Sequence, residues 1–153
     1  MKHRGDVPDY SEERVEDLMK TYTHILETYE GKINPLQLFE RLANSPAQRF
    51  WVSPERAAII LARMEKGDDL SRMGNTRREM FQEIYRRAQE LRVKFPNMSI
   101  RQLAVNVIMQ PAPKFYLTPA SARVIVCKVR KKWYRKKNAN LFRNRFSQTQ
   151  SQE

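Results

Sequence analysis

Cations are the residues of this chain whose number and spacing could do chemistry. After Glu90 no acidic residue appears until Glu153, and within that interval Arg123, Lys128, Arg130, Lys131, Lys132, Arg135, Lys136 and Lys137 crowd together. On a helix this run leaves Ala122, Ile125, Val126, Val129 and Trp133 along one side, so the charges occupy the rest of the surface. A face of cations alone meets the electrostatic requirement of a polyphosphate, because each Lys or Arg set on a phosphate releases a condensed counterion. A solubilising face and attachment to an anionic membrane surface are two blander uses of the same residues. The membrane use fits least, since Trp133 and the aliphatic residues are expected in the core. Arg123, Lys128, Arg130, Lys131, Arg135 and Lys136 are the candidate phosphate contacts. Arg77, Arg78, Arg86 and Arg87 extend the patch if the helix that carries them packs beside it.

Other chemistries are poorly supplied. His3 and His24 are the only histidines, and His24 follows the pattern of a partly exposed helix residue rather than a base. Asp68 and Asp69 lack further spaced ligands, so no metal site is expected. The four glycines form no phosphate-cradling loop. Cys127 is the single cysteine, which excludes an intramolecular disulfide and a thiolate zinc site and reads as a small buried side chain. No catalytic residue and no cofactor are assigned. The opening residues MKHRGDVPDY carry no apolar run of an export signal, so a cytoplasmic location is expected.

The elements that must position the cations come in two related sets. Residues 45–67 return as residues 110–132 with seven of 23 positions identical: Pro46/Pro111, Ala47/Ala112, Phe50/Phe115, Pro54/Pro119, Ala57/Ala122, Ile60/Ile125 and Lys66/Lys131. Helical spacing of apolar residues precedes each copy, and no stretch alternates with the period of a strand. The chain reads as all-α, an internal duplication of a three-helix unit with six main helices. A lead-in covers residues 1–10, a near-neutral first repeat residues 11–74, a strongly basic second repeat residues 75–137, and a flexible tail residues 138–153, where Phe142 and Phe146 stand among Arg143 and Arg145. Ser11 is the expected cap of the first helix, Asn34 with Gln37 a near capping box, and Thr76 with Glu79 and Ser99 with Gln102 two further capping boxes. Phe95 and Trp133 are expected on buried faces.

Charge divides unequally between the sets. Residues 11–74 hold 9 Lys/Arg and 11 Asp/Glu, whereas residues 75–137 hold 16 and 3, of a total formal charge of +12. The second set is therefore expected to grip nucleic acid and the first to act as scaffold or protein-binding surface. The aromatic loops admit two readings. Phe115 and Tyr116, with Lys114 beside them, are candidate stacking platforms for unpaired bases. Alternatively, their rings fold the loop onto the core, a reading favoured because the first set keeps Phe50 and Trp51 without a basic surplus.

Three short helices per set with a basic final helix resemble the tri-helical, helix-turn-helix-like DNA-binding units of bacterial and phage proteins. The resemblance implies that residues 99–109 form the supporting helix and that the recognition helix starts at Thr118, with Ser121, Arg123 and Lys128 near base edges or phosphates. The doubled loop is also similar to loops of uncharacterised bacterial proteins of mobile elements, which implies an accessory or regulatory role. The expected function is non-enzymatic binding of double-stranded DNA through its backbone. The alternatives are an assembly module whose basic helix docks an acidic partner protein, and RNA or single-strand binding.

Overall fold

The computed structural model describes residues 10–150, with side chains through residue 145. Six helices run in the order α1 (Ser11–Thr28), α2 (Pro35–Ala43), α3 (Pro54–Glu65), α4 (Asn75–Lys94), α5 (Ile100–Ile108) and α6 (Pro119–Gln150), and the described residues include no strand, so the fold is all-α. Residues 1–9 and 151–153, where the lead-in and the end of the tail were expected, lie outside the described residues.

Local chemistry sets four of the six helix starts. The Asn34 carboxamide oxygen accepts the Leu36 N–H at 2.9 Å, and the Ser53 hydroxyl accepts the Arg56 N–H at 3.1 Å. Ser99 and Gln102 form the expected capping box, and the Thr118 hydroxyl accepts the Ser121 N–H at 3.1 Å. Proline follows the cap in α2, α3 and α6, where its missing N–H has no partner to lose.

The other two starts differ from expectation. Ser11 is already helical, behind Tyr10, and Thr76 is the second residue of α4, behind Gly74; neither cap residue supplies a side-chain bond. Entry to α4 is instead fixed by Arg78, whose guanidinium donates to the carbonyls of Leu70 at 3.2 Å and Met73 at 2.7 Å. Glu79 is turned away, toward Lys114 at 3.5 Å.

Packing crosses the two sequence halves. Helix α3 lies against α5 and α4, and α6 lies against α2 and α1; among the described residues α3 makes no close backbone approach to α1 or α2, nor α6 to α4 or α5. Each final helix thus covers the first two helices of the other half, and residues 11–74 and 75–137 do not enclose separate cores. The exchange turns on the two aromatic loops. Ala47 and Ala112 exchange both backbone hydrogen bonds at 3.0 Å in one antiparallel bridge. Beside it the Phe50 N–H donates to the Ile108 carbonyl at 3.0 Å and the Phe115 N–H to the Ala43 carbonyl at 3.3 Å. The bonds join residues that correspond at a spacing of 65, so one set is matched by the other.

A single apolar cluster results, from Leu18 in α1 to Val126 in α6. Phe50 is wholly buried at its centre, stacked on Tyr116 with ring centroids 6.0 Å apart and under the Arg87 guanidinium at 5.0 Å. Burying a ring of this size contributes about 2–3 kcal/mol. One carboxylate also enters the core. Asp17, 5% exposed, accepts the Gln48 N–H at 2.9 Å and the Trp51 indole N–H at 3.0 Å, tying the first loop to α1.

Three burial expectations fail. Phe95 is 53% and Trp133 56% exposed, and Cys127 is also exposed. Phe95 caps α4 at the end of the globule, Trp133 lies where α6 is leaving it, and Cys127 stands one position round the helix from buried Val126. The segment expected as a flexible tail continues α6 as far as Gln150, because no proline or glycine interrupts it.

Two outcomes follow. Neither a chain of residues 1–74 nor one of residues 75–153 should fold as a monomer, whereas mixing them should restore the helical circular-dichroism signal; a cooperatively folded 1–74 monomer would disprove the exchange. Asp17→Ala should lower stability by about 2 kcal/mol in urea denaturation, because the buried Trp51 indole N–H and the part-buried Gln48 N–H lose their acceptor.

Candidate nucleic-acid interface

Helix α6 carries most of the candidate cations, and its first three turns anchor it to the globule. Ala122 and Val126 are fully buried, Ile125 and Val129 half-buried, and α2 and α1 cover this side. From Lys131 to Arg145 every side chain is exposed. A helix of 32 residues is about 48 Å long, so roughly half of it projects from the globule.

The candidate cations of α6 fall on two parts of this helix. Arg123 is exposed at the anchored end with its guanidinium 5.9 Å from the Phe39 ring, at the seam with α2. Arg130 marks the exit, donating to the Tyr22 hydroxyl at 3.5 Å. The neighbouring Tyr134 hydroxyl raises its pKa further above the ordinary arginine value. Lys128, Lys131, Arg135 and Lys136 are exposed, and no carboxylate of the described residues pairs with them. Lys132 and Lys137, which belong to the same run, share that condition. Ser121, implied by resemblance to stand near a base, is tied to Thr118 by a 2.9 Å hydroxyl contact.

The α4 cations do not join them. Helix α4 packs on α5 and α3, away from α6, and its charges are spent locally. Arg86 pairs with Glu83 at 2.7 Å and Glu90 at 2.6 Å. Arg87 pairs with Glu83 at 2.9 Å, donates to the Pro111 carbonyl at 2.9 Å and covers Phe50. Arg78 holds the connector, and only Arg77 of the four is exposed without such a contact. The sequence did carry a signal: Glu83, Arg86, Arg87 and Glu90 stand at the three- and four-residue spacings that pair on one helix face.

The loop aromatics serve the core. Phe115 is 4% exposed, and Tyr116 gives one ring face to Phe50, with burial as the main cause raising its phenol pKa. Tyr116 reaches that position with a left-handed backbone, φ 54°. Neither ring offers a free platform. In the first loop Arg49 is turned inward as well, donating to the carbonyls of Phe50 and Val52 and lying 5.1 Å from the Trp51 ring. The short helix beside α6 is α2 rather than α5, contrary to the implied pairing with residues 99–109.

No cluster of three or more His, Cys, Asp or Glu occurs among the described residues, and Asp68 and Asp69 cap the N–H groups of Leu70 and Ser71 at 2.8 and 3.0 Å. Among the described residues no helix is long and apolar enough to cross a membrane. No known protein family, curated protein or solved structure matches the chain.

The α4 pairing has a pH signature. Hydrogen bonding from Arg86, and then from Arg87, holds the Glu83 carboxyl below the ordinary glutamate range despite partial burial. The folded state therefore binds fewer protons here than the unfolded chain. This contribution is complete above the ordinary glutamate pKa of about 4.3 and is lost as pH falls through the depressed value. Urea midpoints measured from about pH 5 to about pH 3 should fall less steeply for Glu83→Gln than for the wild type.

Proposed function

We propose that this protein binds double-stranded DNA without catalysis, laying the projecting half of α6 against the duplex so that Lys128, Arg130, Lys131, Arg135 and Lys136 meet phosphates. The observation that carries this reading is that every residue from Lys131 to Arg145 is exposed and that the charged ones are all cations. Lys132 and Lys137 act in the same way. With side chains an α-helix is about 10–12 Å across, the width of the major groove of B-form DNA at about 12 Å. The deep, narrow major groove of duplex RNA admits no such element, so the shape favours DNA.

The helix also gains from the partner. Lys128/Lys132, Lys131/Arg135 and Lys132/Lys136 are like charges four residues apart, each weakening an isolated helix by about 0.2–0.5 kcal/mol. Phosphates set along the helix relieve that repulsion. Arg123 fits a contact at the edge of the interface, whereas Arg78, Arg86 and Arg87 remain structural. The near-neutral α1 to α3 region serves as support.

Fluorescence anisotropy with a random duplex at two salt concentrations tests this reading. Binding should weaken steeply with salt, and the double variant Lys131→Glu, Arg135→Glu should lower affinity at least about tenfold and reduce the salt slope by about 2. Unchanged affinity at unchanged helicity would defeat the proposal. Preferential binding to an acidic protein surface or to single strands would replace it.

A further inference from the structure

A groove opens where α6 leaves the globule and passes the end of α1. Its volume is about 360 Å³, and it is lined by Tyr22, Leu26, Arg130, Trp133, Tyr134 and Lys137. We propose that this groove receives one unpaired nucleotide of a DNA strand, the base lying against Trp133 and Tyr134 and its phosphate on Arg130 and Lys137. The inference rests on the duplex-binding reading and deepens it, because Lys137 belongs both to the groove and to the cationic rail that follows.

The lining dictates the ligand class. Trp133 and Tyr134 are each more than half exposed, and both are large rings that line the groove between two cations. Ring faces accept any base by stacking, and a cation at their edge accepts the attached phosphate. The Arg130 guanidinium reaches across the groove to within 3.5 Å of the Tyr22 hydroxyl. Orientation follows from a second depression that Trp133 also lines, together with Glu16, Lys20, His24 and Glu27. Its two carboxylates repel a phosphate, which leaves the Arg130 and Lys137 side as the entrance. The volume is near the lower end of small-ligand sites, about 300 Å³, and suits one nucleotide. A base already paired and stacked in a duplex cannot enter; one at a frayed end, gap or overhang can.

Tryptophan emission reports occupancy directly. Trp51 is buried and bonded to Asp17, so Trp133 is the exposed indole of the two. The full chain would be titrated with a blunt duplex, with the same duplex bearing a short single-stranded overhang, and with free dAMP. The overhang duplex should quench emission and bind about tenfold tighter than the blunt one, as expected for one stacked base. In Trp133→Ala that preference should vanish while blunt-duplex affinity stays, and Tyr134→Ala should reduce it. Equal affinity for both duplexes, or a preference that survives Trp133→Ala, would overturn the assignment. So would equal quenching by dAMP, which would mark a free-nucleotide site. Overhang binding without blunt-duplex binding would uphold the groove and defeat only the duplex reading.

Discussion

The antiparallel contact between Ala47 and Ala112 is the constraint on which the rest of the architecture depends. Two loops cross there, each satisfying the other's backbone groups, and the crossing sends each following helix over to the far half. Alanine suits the crossing because a larger side chain would hold the two backbones apart; both alanines are almost wholly buried. Around this point Phe50, Tyr116 and Arg87 form one stack drawn from three segments, so the aromatic loops fasten the halves together rather than face a ligand.

The same crossing decides which charges are available. Because α3 goes to α4 and α5, its Glu65 and Glu55 meet Arg92 and Arg101 across the interface. Along α4 itself, Arg86 and Arg87 are spent on Glu83 and Glu90. Helix α6 crosses the other way, to α1 and α2, and no carboxylate of the described residues pairs with its cations from Lys128 to Lys137. Much of the excess charge of the chain is thereby concentrated on one helix, where like charges four residues apart cost helix stability.

Much of the fold was legible from single residues. Proline after Asn34, Ser53 and Thr118 marks three helix starts, and the 3,4 spacing of Leu18, Tyr22 and Ile25 marks a buried face. Periodicity names the face that is covered, however, and not the helix that covers it. The stripe Ala57, Ile60 and Leu61 reads identically whether α2 or α5 lies on it, so the exchange was invisible. Burial was misjudged at Trp133: it continues the apolar spacing of Val126 and Val129, yet nothing in the spacing says that beside α1 its ring stays 56% exposed. The groove beside it joins Tyr22 to Trp133 across more than a hundred residues, a proximity that local patterns cannot carry. The α6 cations were legible as a surface because no acidic residue stands near them in sequence, whereas the α4 cations required their glutamate neighbours to be counted.

Helix exchange also orders events during synthesis. On a ribosome α1 and α2 emerge before α3, α4 and α5, but the helix that covers them is made after all of these, so their apolar faces wait while α3, α4 and α5 assemble. Contacts this distant in sequence slow folding, because a long loop must close before they form. The basic helix is anchored only when Ala122 and Val126 settle onto that waiting surface. A chain arrested before α6 leaves its first two helices uncovered, a form suited to recognition by quality-control factors that bind exposed apolar surface.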